Sequence, residues 1–117
     1  MAVTPKRLIA GAALTTSWSN ALYNVPTTAL SATAKQLIVC NQDTVPRTFF
    51  YAVTPNSTNP VANSPYVLFY SVTLQANETK VFGLTDVMAQ GYYIQAKTGE
   101  ADTTRTVNIT VSGMENT

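Results

Sequence analysis

Arg105-Thr-Val-Asn-Ile-Thr-Val-Ser112 decides the fold: Val107, Ile109 and Val111 alternate with Thr106, Asn108 and Thr110. A period of two sets one row of side chains on a core and the other in water, the pattern of a half-buried β-strand. Working outward, short apolar runs bounded by Pro, Gly, Asn or Asp read as strands over residues 21–25, 35–41, 47–54, 66–74, 79–84 and 92–97, with another near 6–10. The composition agrees, because 19 Thr, 12 Val and 4 Ile outnumber 8 Leu, 3 Glu and 4 Lys, and β-branched side chains favour strands over helices. Six prolines and nine asparagines supply turns, and no interval between them carries a sustained helical apolar stripe. The expected fold is all-β, an antiparallel β-sandwich of about seven or eight strands with jelly-roll or Ig-like topology and at most one short helical turn. That turn is expected in Leu84-Thr-Asp-Val-Met-Ala-Gln-Gly91, with Thr85 as N-cap and Gly91 just past the end. Pro55-Asn-Ser-Thr-Asn-Pro-Val-Ala-Asn-Ser-Pro65 holds three prolines and must be a loop, since proline lacks the ladder donor.

The chain has 117 residues, enough for one core and too few for two, so residues 1–117 are expected to form a single sandwich domain. Residues 1–19 are expected to serve as an extended N-terminal arm. Charged residues make up 11% and the net charge is +1, which offers no clustered positive surface for a polyanion and excludes nucleic acid as a partner class. Histidine is absent, which removes the commonest general base, the usual metal ligand and any Ser-His or Cys-His pair. The expectation is a chain that is not an enzyme, with no cofactor and no metal. A lone cysteine, Cys40, makes no internal disulfide and points to synthesis in a reducing cytosol. The opening fourteen residues make a poor signal peptide. No stretch reaches the ~18–20 apolar residues that span a bilayer, so a soluble protein away from membranes is expected.

Few residues offer chemistry. Glu100 and Asp102 share a strand face in Thr98-Gly-Glu-Ala-Asp-Thr-Thr104, where a hard cation competes with the plainer reading of a solvated hairpin turn. Cys40, in Leu37-Ile-Val-Cys-Asn41, has no neighbouring base and reads as a small buried apolar group. The sequons at Asn56, Asn77 and Asn108 carry no weight without a secretory signal. Lys6-Arg7 reads as a polar anchor at a strand start, and Trp18 as a ring folding back over the core or stacking on a sugar or neighbouring subunit. More informative are Phe49-Phe50-Tyr51, Tyr66-Val-Leu-Phe-Tyr70 and Tyr92-Tyr93. Successive side chains on a strand point to opposite faces, so each run sends a large ring away from the core. The interface candidates are therefore Trp18, Phe49, Phe50, Tyr92 and Tyr93, covered by a loop or by another protein, with the protein partner favoured.

Thr4-Pro-Lys-Arg-Leu-Ile-Ala-Gly-Ala-Ala-Leu-Thr15, Ala21-Leu-Tyr-Asn-Val-Pro26, Ala34-Lys-Gln-Leu-Ile-Val-Cys-Asn41, Gly91-Tyr-Tyr-Ile-Gln-Ala-Lys97 and Val107-Asn-Ile-Thr-Val-Ser-Gly-Met-Glu115 together cover nearly the whole chain. In these strand-and-turn patterns it resembles small virion structural proteins of tailed bacteriophages. The resemblance implies a β-sandwich made in the host cytoplasm and carried on the virion, with no catalytic residues to transfer. Its implied role is capsid decoration or cement, stabilising the assembled head through oligomeric contacts, or else a place on the neck, tail, baseplate or fibre. The implied partners are the major capsid protein or other virion proteins, and copies of the chain itself, a trimer being favoured at a three-fold position. Trp18 and the 55–65 loop depart from the pattern. A second class, a carbohydrate- or receptor-binding sandwich module, would stack sugars on Trp18, Tyr66, Tyr70, Tyr92 or Tyr93. A third, a pilin-like or adhesin subunit, lacks the secretory signal it would need.

Overall fold

The structure, a computed structural model, describes residues 2–61, 63–99 and 106–117. Its elements are eight strands: β1 (Val3–Ala13), β2 (Ser19–Asn24), β3 (Ser31–Asn41), β4 (Arg47–Thr54), β5 (Val67–Leu74), β6 (Thr79–Ala89), β7 (Tyr93–Thr98) and β8 (Val107–Asn116). They form two antiparallel four-stranded sheets, one ordered β1-β8-β3-β6 and the other β2-β7-β4-β5. The first strand pairs with the eighth, the second with the seventh, the third with the sixth and the fourth with the fifth. One long hairpin rolled on itself, closed by β3–β8 and β4–β7 pairing, gives this order. It is an eight-strand jelly roll, which decides between the two topologies left open by the sequence.

Alternation builds the core. Val107, Ile109 and Val111 are buried while their neighbours are half-exposed. Rings join the sheets: Phe82 of β6 lies 5.9 Å from Phe49 and 4.8 Å from Phe69, both on the facing sheet, and Tyr51 stands 5.7 Å from Phe69. Edge-to-face and tilted pairs at these distances add to the burial energy of the rings themselves.

β-Bulges reset the alternation where the sequence would otherwise turn apolar groups outward. In β1, Ile9 and Ala12 oppose Val111 and Ile109, three residues against two, with Gly11 at φ 127°. A second shift between Arg7 and Ile9 lets the consecutive Leu8 and Ile9 both enter the core. In β5, Phe69 and Val72 oppose Tyr51 and Phe49, so Tyr70 and Ser71 both face outward, Ser71 at φ 50°.

Three expectations meet a different arrangement. Residues 3–13 do not extend as an arm but pair along β8 as an edge strand, which tolerates Pro5 because only one side of β1 needs donors. Leu84–Gly91 holds no helical turn: β6 runs through it to Ala89, with Phe82, Leu84, Asp86 and Met88 inward and Val81, Thr85 and Val87 outward. Gly91 instead serves the β-turn closed by the Tyr92 amide donating to the Ala89 carbonyl (3.1 Å), at the position where φ 87° is required. Cys40 is half-exposed, because Leu37, Val39 and Asn41 take the inward row of β3.

Candidate functional site

The outer face of the β2-β7-β4-β5 sheet collects the chemistry. On β4 the inward row is Phe49, Tyr51 and Val53, leaving Thr48, Phe50, Ala52 and Thr54 outward. On β7 the outward row is Tyr93, Gln95 and Lys97. Residues 55–61 and 63–65 fold back over one end of this face. Ala52 and Gln95 are wholly buried although neither belongs to the core. Gln95 holds the loop, its Nε2 donating to the Thr58 carbonyl (3.0 Å) and to Thr54 Oγ1 (2.9 Å), while the Thr54 hydroxyl donates to the Asn56 carbonyl (2.7 Å). The three prolines keep this segment out of the ladder and so free it to act as a cover.

The other end stays open. Phe50 and Lys97 are cross-strand partners, so the lysine stem runs beside the ring. Lys97 Nζ lies 4.7 Å from the Phe50 centroid and 5.2 Å from that of Trp18, within cation–π range of both. Trp18 meets Phe50 edge-on at 6.2 Å, and Tyr70 meets it from the opposite side at 5.1 Å and 89°. Between this cluster and the Pro60, Val61, Asn63 and Ser64 wall of the loop lies a cleft of about 580 Å³. A second hollow of about 460 Å³, lined by Pro46, Arg47, Thr48, Ser71, Thr73 and Gly99, continues on the far side of Phe50. Arg47 donates from Nη2 (2.6 Å) and Nε (3.0 Å) to one carboxylate oxygen of Asp43, Oδ2, and that guanidinium holds the Asp43 carboxyl below the usual range.

A second surface lies on the side of the sandwich. β1 and β2 touch at one flank, so the far ends of the two sheets, β5 and β6, form the other. Along it the outward rows of the two edge strands expose Leu68 and Tyr70 on one face of the sandwich and Val81 and Val87, 58% and 70% exposed, on the other.

Of the residues singled out in the sequence, Trp18 and Phe50 come together and are half-buried against each other. Phe49 is fully buried in the core and belongs to no surface. Tyr92 packs against the core and Tyr93 is half-buried on the outward row of β7 opposite Thr54. Tyr66 lies across the loop, in a smaller hollow of about 210 Å³. Lys6 pairs with Glu115 at 3.2 Å, and Tyr23 donates to the same carboxylate at 2.5 Å, fastening β1, β2 and β8 together. Glu100 and Asp102, the pair read as cation ligands or a solvated turn, lie outside the described residues, as does Arg105. Lys97 was not marked by its sequence neighbourhood, because its role depends on standing opposite Phe50, a fact of strand pairing.

No family model matches the chain, and neither a curated protein nor a solved structure matches it significantly. The site must be read from its own residues.

Proposed function

We propose that the chain is a non-enzymatic virion structural protein, a decoration or cement protein that binds the assembled head of a tailed bacteriophage. The observation that carries this reading is the β5–β6 flank, where the edge strands of both sheets end in open ladders and exposed Leu68, Val81 and Val87. Bare apolar edge strands invite pairing and burial by another protein, and isolated domains ordinarily blunt them with charge. Exposed apolar groups with few charges beside such open edges suit a protein interface core. Jelly rolls serve as viral capsid domains and as lectins, so the topology fits the reading without deciding it.

Binding a composite surface that exists only in the assembled lattice favours the assembled state by mass action. Copies placed around a three-fold position would each offer the same flank to the next, giving a cyclic trimer. The partners in this reading are the major capsid protein and further copies of the chain. The test mixes purified protein with chelator-stressed phage heads and, separately, with tails, and images both by electron microscopy. Regular density on the heads with raised resistance to rupture is the expected result, abolished in the Val81→Lys, Val87→Lys double variant. Density confined to tails moves the protein to the neck, tail, baseplate or fibre, and binding to neither rejects the virion role.

A further inference from the structure

We propose that the Trp18–Phe50–Tyr70–Lys97 cleft binds an acidic oligosaccharide, stacking a pyranose ring on the aromatics and holding its carboxylate on Lys97. The charge of Lys97 is the decisive observation. Its ammonium rests on two rings, and no carboxylate of the described residues lies within ion-pair distance of it. Cation–π contact fixes where that charge stands, so the complementary ligand group is an anion.

The rest of the cleft narrows the class. Tyr70 is 77% exposed and meets Phe50 by an edge-on contact, leaving most of its ring open to a ligand. The opposite wall offers Asn63, exposed, and the Ser64 hydroxyl, which accepts from the Tyr66 amide (3.3 Å) and keeps its own proton to donate. An apolar platform, an amide and a hydroxyl around one cation match a sugar ring with several hydroxyls and one carboxylate. A peptide strand cannot pair with the floor itself, because β4 there is paired on both sides, with β5 and β7, and has no main-chain groups to share. The volume of about 580 Å³ falls within the range of small-ligand sites, roughly 300–1,000 Å³. This site does not depend on the particle reading and is tested on the isolated chain.

The experiment titrates the full chain with galacturonate, glucuronate and sialyl oligosaccharides, each beside a neutral counterpart, by calorimetry and amide shift mapping. At least one acidic oligosaccharide is expected to bind about tenfold or more tightly than its neutral counterpart, a difference of about 1.4 kcal/mol. Lys97→Gln should erase that preference, and Tyr70→Ala should weaken the acidic and neutral forms alike by about tenfold, equivalent to the same 1.4 kcal/mol. Both positions are solvent-facing, so unchanged thermal unfolding will show that the variants are folded. No binding by any of the three acids, equal binding of the neutral forms, or unchanged affinity in both variants would overturn the assignment. Shifts mapping away from residues 18, 50, 70 and 97 would do the same.

Discussion

Asp86 stands on the inward row of β6 between Leu84 and Met88, and its Oδ2 is buried without a hydrogen-bond partner among the described residues, as is the hydroxyl of Tyr51. Burial raises the Asp86 carboxyl above its ordinary range, and burial together with the Asp86 charge raises the Tyr51 hydroxyl. An acid whose pKa rises on folding makes the ionised native state less stable, and that cost disappears once pH falls below the unfolded value. Asp86→Asn should therefore raise the melting temperature at pH 7, modestly because Asp86 is only half-buried, with the gap to the parent closing on acidification. A gap independent of pH would show that charge burial is not its source. Asp43 has the opposite sign. Arg47 lowers its pKa, so its contribution is present at neutral pH and lost as pH falls through the lowered value. Asp43→Asn should lower the melting temperature at pH 7 and converge with the parent in acid. Asn41, fully buried, braces the same corner by donating to the Val45 and Gln75 carbonyls (3.0 and 3.1 Å) and accepting from the Asp43 amide (3.0 Å).

Among the elements, β8 is the most exacting. Ile109 is fully buried at its centre, and Ile109→Ala should cost about 2–5 kcal/mol in chemical denaturation. Four residues on, a Cβ at Gly113 would overlap the Thr33 carbonyl oxygen of β3, a backbone atom that cannot turn aside. Gly113→Ala should thus cost about 1–3 kcal/mol by prising β3 from β8, while Gly83→Ala, where a Cβ meets open space, should be close to neutral. Equal effects at the two glycines would refute that close approach. β4 was legible in its bounds, Arg47–Thr54 as expected, and β8 in its faces, with Val107, Ile109 and Val111 inward as read, although β8 runs on past Ser112 to Asn116 where the alternation ends. The full lengths of β1 and β3 were not legible, since bulges at Ala10–Gly11 and near Lys35 restart the period of two. The helical turn expected before Gly91 failed for a related reason. A glycine after a polar stretch fits a helix end and a β-turn equally, and only the pairing of Met88 with Ala32 and Asp86 with Ala34 decides between them. The outward rings of Phe50 and Tyr70 could be foreseen from parity, but their meeting with Trp18 and Lys97 could not, because it joins four separate stretches of chain.

At the scale of the whole molecule, every strand of the roll finds its partner from the ends of the chain inward. The closing ladder runs to the termini, where the Ala2 amide donates to the Thr117 carbonyl (3.0 Å) and the Thr117 amide to that of Ala2 (2.8 Å). Such non-local pairing is entropically costly to start, and refolding should be slow, on the order of milliseconds to seconds by stopped-flow fluorescence of Trp18. A microsecond phase carrying the whole amplitude would contradict the nested topology. The position of β8 between β1 and β3 also has a consequence for biosynthesis. On the ribosome the strand at the middle of this sheet is the last of the eight to be made, so β1 and β3 wait with unfilled edges until residue 116 has left the exit tunnel. The sheet therefore closes after translation of the domain rather than during it, and until then the edges that β8 will fill are open to pairing with other chains.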